Sequence, residues 1–324
     1  MKRLLFCLSF AACLLFSLQC NRAGRETASA SSSPAAQDAA PPAPLTVFPP
    51  LGPAKRVERG VVVHKVSLGH GDQAGRIWIY LPEKMPAKPI PCVFIAPAGV
   101  APFLGNGFGT DLALEKHPEH LPYVHAGFAV VAYDVDGEVP NLDNMTYEQV
   151  QTAATAFKNA EAGVLNARHA IDYVLKMVPG IDPKRLYSAG HSSAGRIALI
   201  VAESDPRIAA CAAYAPVTNP ELRIQQNAPD AGKYLESNLP GFRDFLKRTS
   251  PVKQIERLRC PTFLFHAEDD SVISIIETES FAETLKKTNP RVTFVRAERG
   301  DHYDSMVEEG VPQAIRWLRD LQSQ

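Results

Sequence analysis

The chain has 324 residues, of which 45% are hydrophobic, and carries 34 Lys and Arg against 35 Asp and Glu for a formal charge of -1 at neutral pH. With no basic run beyond its first residues it lacks the electrostatic footprint of a nucleic-acid binder, so no nucleic-acid partner is expected. Its length suits one sizeable domain whose core needs no disulfide or metal staples.

In chain order, Met1-Lys2-Arg3 is a basic start, residues 4–18 are apolar but too short to span a bilayer, and Gln19-Cys20 ends the run. This is the pattern of an export signal over residues 1–20. From Asn21 to Pro50 the sequence is rich in Ala, Ser and Pro and almost free of apolar periodicity, so residues 21–55 are expected to be a disordered tether. Residues 56–324, roughly 265 in number, remain for the domain.

Within the domain, residues 61–66 and 76–81 read as a hairpin around Gly69-His70-Gly71-Asp72. Short apolar runs at 92–96, 129–133, 186–189, 208–214, 262–266 and 292–295 read as buried strands. Helices are expected over 112–124, 148–177, 193–203, 275–287 and 311–321. Strands alternating with helices imply an α/β fold, with a mostly parallel eight-stranded sheet covered on both faces. Ligands of such sheets sit at the carboxyl ends of the strands.

One strand end carries chemistry. Tyr187-Ser188-Ala189-Gly190-His191-Ser192-Ser193-Ala194-Gly195 reads as a strand, a forced tight turn and the first turn of a helix. A serine at the top of such a turn needs small residues two places before and two after it, where side chains would strike the neighbouring strand or helix. Gly190 and Ala194 occupy those places around Ser192, which makes Ser192 the candidate nucleophile. Downstream, the strand ending Phe265-His266 breaks into Ala267-Glu268-Asp269-Asp270, and the strand over 292–295 runs into Arg299-Gly300-Asp301-His302. The order Ser, Asp, His at three strand ends differs from the His-Asp-Ser and Asp-His-Ser orders of other serine-hydrolase scaffolds.

These residues give the chain, from about Val61 to its end, a resemblance to the α/β-hydrolases, and among them to the catalytic domain of the prolyl oligopeptidase and dienelactone hydrolase group. The likeness extends to Asp182-Pro183-Lys184-Arg185-Leu186 before the turn, Ser250-Pro251-Val252 before the acid strand, and His266-Ala267-Glu268-Asp269-Asp270, which is similar to the group's H-G-x-x-D. The resemblance implies a catalytic triad of Ser192, Asp270 and His302, with Asp269 as the competing acid. It also implies an oxyanion hole built from backbone N–H groups: that of Ser193, and a second from Pro97-Ala98-Gly99-Val100, with Val100 preferred and Gly99 the alternative. No cofactor is called for. The signal is similar to that of bacterial lipoproteins, in which the cysteine, here Cys20, is lipidated; this implies attachment to the cell envelope, or otherwise a secreted or periplasmic protein.

The segment 216–249 lies where this superfamily inserts caps. Tyr234 and Phe242 within it, with Phe103 and Leu104 beside the oxyanion loop, are candidates to line a moderately apolar pocket, although they could equally pack the cap onto the body. His191 and His266 read as structural histidines. His117, His120 and His125 do not complete a metal site, because Pro118 interrupts their spacing. Asp134 and Asp136 could shape the pocket mouth. Cys92, Cys211 and Cys260 sit in apolar strand runs and are expected as buried free thiols. The resulting expectation is a serine carboxylesterase for small to medium acyl esters or acylated saccharides. The alternatives are an exported peptidase for short peptides, or a non-catalytic binding protein on the same scaffold. The propeller that screens substrates in prolyl oligopeptidases is not expected ahead of the sheet.

Overall fold

The structure, a computed structural model, describes residues 47–68, 75–108, 117–139 and 145–323. The expected signal, Cys20, most of the expected tether, the hairpin tip and residues 112–116 of the first expected helix lie outside them. Its sheet has six mutually parallel strands, β4 (Ile90–Ile95), β5 (Ala129–Tyr133), β6 (Ile181–His191), β7 (Ile208–Tyr214), β8 (Thr262–Ala267) and β9 (Val292–Ala297). Every residue of β4, β5 and β8 is buried, as unbroken apolar runs require when both faces of a sheet are covered. Alternation along β4 sends Cys92 and Phe94 into one core layer and Val93 and Ile95 into the other.

Three antiparallel strands, β1 (Ala54–Glu58), β2 (Val61–Ser67) and β3 (Arg76–Pro82), extend the sheet to the order β1-β2-β3-β5-β4-β6-β7-β8-β9. Among the described residues the sheet therefore has nine strands, one more than the eight expected. The extra one is β1, an exposed edge strand of sequence AKRVE, whose polar surface gave no apolar alternation to read. The folded domain also reaches into the stretch that composition assigns to the tether. Phe48 packs edge-on against Tyr173 at 5.7 Å, and the Gly52 carbonyl lies 2.6 Å from His64 Nδ1.

Helices cover both faces. Tyr147–Asn159 (α2), Val164–Met177 (α3), Ser192–Ser204 (α4) and Ile275–Lys286 (α8) bury residues in one core layer, while Leu121–His125 (α1) and Val311–Gln322 (α9) bury theirs in the other. The expected single helix over 148–177 is two helices. Glu161, Ala162 and Gly163 adopt positive φ of 49°, 54° and 90°, and a Cβ on Gly163 would meet Val135 Cγ1 at 3.1 Å. The break lets α3 lie close on the sheet. Between β7 and β8, Pro220–Asn227 (α5), Pro229–Asn238 (α6) and Phe242–Arg248 (α7) fill the expected cap region. Asn219 starts α5 by accepting the Leu222 N–H at 3.1 Å, and Phe245 of α7 packs edge-on against Phe157 of α2 at 5.8 Å. Of the three cysteines, Cys92 and Cys211 are buried free thiols, whereas Cys260, just ahead of β8, is free but only partly buried.

The helix that begins at Ser192 is held to β6 along its length and closed by a charged turn after its last residue. Ser188 Oγ donates to the Ala198 carbonyl at 2.9 Å, and the turn after α4 is held by Asp205, whose carboxylate takes Arg207 Nε at 2.9 Å and Nη2 at 2.7 Å. Burial alone would raise the proton affinity of Asp205, but the Arg207 bonds outweigh it and hold the group below its ordinary range. Stability from this pair is therefore present above the ordinary carboxylate range and lost as pH falls through the folded-state value. Asp205→Asn is expected to lower unfolding free energy by about 1.5–3 kcal/mol at neutral pH, with the deficit shrinking in acid. Urea unfolding of both proteins across pH measures this.

Candidate active site

β6 ends at His191 and α4 begins at the next residue, so the chain reverses within one peptide unit. Ser192 takes the strain, with φ of 58° in the left-handed region that non-glycine residues seldom occupy. The small neighbours are required by contact. A Cβ on Gly190 would lie 2.3 Å from the Ala194 carbonyl oxygen, while Ala194 itself is wholly buried. The Ser192 carbonyl accepts the Val217 N–H at 3.2 Å, tying the turn to the exit of β7.

The loops after β8 and β9 bring Asp270 and His302 together: His302 Nδ1 lies 2.7 Å from Asp270 Oδ2. It is Asp270, not Asp269, that meets the ring. The Asp270 side chain is 1% exposed, and its Oδ1 accepts the N–H groups of Val272 and Ile273 at 2.8 and 2.9 Å. Burial pushes its proton affinity up, but the bonds from His266, His302 and the Ile273 N–H overcome that and hold the carboxyl well below the usual range. It is therefore a carboxylate throughout the pH range of any neutral-pH chemistry.

Asp269 has a different task. Its oxygens accept the N–H groups of Gly300 and Asp301 at 3.2 and 2.9 Å, and Asp301 Oδ1 in return accepts the Ser271 N–H and hydroxyl, each at 2.8 Å. This reciprocal clasp joins the acid loop to the histidine loop. His191 secures the other side, with Nε2 2.8 Å from the His302 carbonyl and its ring 4.4 Å from the His302 ring. Burial, helped by the neighbouring His302, lowers His191 to about 3, so it is neutral and donates that proton to the carbonyl.

The loop after β4 stands beside the turn. The Gly99 N–H is already engaged by Ser193 Oγ at 3.0 Å, the Ala98 carbonyl accepts Asn106 Nδ2 at 2.8 Å, and the Pro102 carbonyl accepts Arg196 Nη1 at 2.5 Å. Arg196, in α4 and 2% exposed, also donates Nε and Nη2 to the carbonyl and hydroxyl of Thr249 at 2.9 and 2.7 Å. One guanidinium thus joins α4, the candidate oxyanion loop and the end of the segment 216–249. Burial draws Arg196 down to about 9, which still leaves it charged at neutral pH.

The pocket candidates separate. Phe103, Leu104 and Phe242 are at most 4% exposed and belong to the hydrophobic core, so packing occupies them. Tyr234 is partly buried, stacks on Tyr147 at 4.6 Å and donates its hydroxyl to Gln151 Oε1 at 3.0 Å, fastening the cap to α2. His117 and His120 stack at 4.4 Å, while His125 pairs with Glu58. Asp134 binds Arg76 and the Phe108 N–H, and the Asp136 N–H donates to Asn166. Asp269 lies in the acid motif but reads there as a rival acid and not as a clasp, and its partner Asp301 and the bridges made by Arg196 and Asn106 carry no motif of their own. An arginine among the buried residues of α4 was the one visible sign.

The strand order, and the placing of the serine turn, the acid loop and the histidine loop at the carboxyl ends of β6, β8 and β9, define an α/β-hydrolase fold. Residues 119–322 match the model of the prolyl oligopeptidase family, and the chain belongs to that family. The acetyl esterase Axe7A of Xylanibacter ruminicola is 25% identical over 232 residues, covering 62% of this chain and 47% of that one, so the chain spans about half the length of this curated relative. Among solved structures, an S-formylglutathione hydrolase from Agrobacterium tumefaciens superposes with a TM-score of 0.61 at 16% identity over 84% of this chain and 99% of its own. Acetyl xylan esterase 1 from Thermoanaerobacterium gives 0.57 at 16% identity over 81% and 84%. Likeness at such identity concerns the fold.

Two substitutions test the construction of the site. Gly190→Ala forces a methyl into the Ala194 carbonyl and is expected to lower turnover by on the order of a hundredfold, as displacements of about 1 Å do, in steady-state kinetics on a chromogenic ester. Arg196→Met strands the Pro102 and Thr249 carbonyls and is expected to cost about 1–3 kcal/mol for each acceptor left buried without a donor, measured by urea unfolding.

Proposed function

We propose that this protein is a serine carboxylesterase in which Ser192, His302 and Asp270 form the triad. The observation that carries the reading is the 2.7 Å bond from His302 Nδ1 to a buried, fully hydrogen-bonded Asp270. It leaves Nε2 as the atom of the ring that faces a reactant, and the clasp and His191 hold that ring beside the turn that carries the half-buried Ser192. In the reaction Ser192 Oγ bonds to the ester carbonyl carbon and passes its proton to His302 Nε2. The tetrahedral oxyanion takes the N–H of Ser193 and that of Val100, because the Gly99 N–H is already directed to Ser193 Oγ. Collapse breaks the bond to the alcohol oxygen, which leaves with the proton from Nε2, and a water repeats the sequence to free the acid. Asp270 keeps the ring in the Nδ1–H tautomer and stabilises the imidazolium without itself taking the proton.

The substrates are small acyl esters, acetylated saccharides among them. The acetyl esterase named above supports this, and the acetyl xylan esterase shares the fold. Membership of the prolyl oligopeptidase family keeps short peptides as the second reading. Export, with a lipid on Cys20 holding the enzyme at a bacterial envelope, rests on the residues 1–20 pattern and is tested by whether Cys20→Ser releases the protein from the membrane fraction.

Hydrolysis of p-nitrophenyl acetate is expected to exceed that of p-nitrophenyl octanoate and of peptide p-nitroanilides. Ser192→Ala should lower kcat by on the order of a millionfold. Asp270→Asn should lower it by about ten-thousandfold with little change in KM, whereas Asp269→Asn should be far milder. Anilide turnover above ester turnover would move the assignment to a peptidase, and a crippling Asp269→Asn beside a mild Asp270→Asn would overturn the choice of acid.

A further inference from the structure

We propose that His266 is a positioning residue of this site: it shares its Nε2–H between the Ile273 carbonyl and the same Asp270 oxygen that receives the His302 Nδ1–H, and so sets how strongly Asp270 holds His302. The inference rests on the esterase reading above. His266 stands near the end of β8, fully buried, with Nε2 2.9 Å from Asp270 Oδ2 and 2.9 Å from the Ile273 carbonyl. Both neighbours are acceptors, so Nε2 must carry a proton. Nδ1 lies 2.8 Å from Thr278 Oγ1 in α8, and that hydroxyl, also fully buried, donates to it and locks the tautomer.

Both oxygens of Asp270 are engaged. Oδ1 takes two backbone N–H groups, and Oδ2 takes the His302 Nδ1–H and lies 2.9 Å from His266 Nε2, whose single proton is shared with the Ile273 carbonyl. Charge-assisted bonds in a buried setting are strong, and an oxygen shared between two donors gives less to each. His266 therefore restrains the attraction of Asp270 for the His302 imidazolium while holding the carboxylate in place.

Other charged or titratable groups face this cluster. His191 and Tyr303 come from the turn and the histidine loop, Asp269 and Asp301 from the clasp, and Glu277 with Arg223 from the helices on the His266 side. The substitutions below leave all of them in place. With the His266 donor gone, Oδ2 serves His302 alone, the imidazolium is favoured, and a more alkaline medium is needed to free the base.

The test uses the full-length protein and His266→Leu, His266→Gln and Thr278→Val. It reads the pH profile of kcat/KM on p-nitrophenyl acetate and the downfield ring-proton signal of His302 in the NMR spectrum, which needs no turnover. The acid limb is expected to move up by about one pH unit in His266→Leu, and in the same direction but less in Thr278→Val. His266→Gln, whose amide can still donate, should keep the wild-type limb, and the His302 ring proton should move further downfield in His266→Leu. A lower kcat with an unmoved limb and an unmoved ring proton would overturn the proposal, leaving His266 as packing. If His266→Leu does not fold, Thr278→Val and His266→Gln decide by the same readings. Failure of the esterase reading shows separately, as wild-type turnover unaffected by Ser192→Ala, and the ring proton then still reports whether His266 shares Oδ2.

Discussion

A strand that must become a helix within one residue governs this structure. Left-handed backbone at Ser192 is tolerated because the helix it opens is held from two strands, to β6 by the Ser188 hydroxyl and to the exit of β7 by the bond from the Val217 N–H to the Ser192 carbonyl. The demand spreads outward from there. Gly190 must lack a side chain for Ala194 to pass, and α4 must lie close enough to the sheet for Ser193 to meet the loop after β4. Arg196, one turn further along α4, then fixes that loop and the end of the cap to the same helix.

The second constraint is the isolation of Asp270. A carboxylate with 1% of its side chain exposed keeps its charge only if its oxygens are supplied with donors, and here two backbone N–H groups and two imidazoles supply them. Its neighbour Asp269 is exposed and spends its oxygens on the histidine loop instead. Two adjacent acids thus divide the work, one orienting the ring and the other holding together the loops from which acid and ring project.

Much of this was legible in the sequence, for physical reasons that also explain the gaps. Buried parallel strands are apolar on both faces, so β4, β5, β7 and β8 announced themselves, and the small residues around Ser192 follow from one local steric demand. The edge strand β1 did not, because a solvent-facing strand has no apolar period. The break between α2 and α3 had Gly163 as its sole marker in an otherwise continuous helical pattern. Phe103, Leu104 and Phe242 read equally as pocket or core, and burial places them in the core. The Asp269–Asp301 clasp and the Arg196 bridge join residues far apart along the chain by hydrogen bonds, and no periodicity records such pairings. The choice between Asp269 and Asp270 turned on one residue of loop register, which only the three-dimensional path of the loop resolves.

The central claim is that the turn makes Ser192 a nucleophile served by His302. It is tested most directly by treating the full-length protein with a fluorophosphonate and mapping the adduct by peptide mass spectrometry, beside His302→Ala. The account predicts a single stoichiometric adduct on Ser192 that is lost or greatly slowed when His302 is removed. An adduct on Ser193, or none on folded wild-type protein, would contradict it.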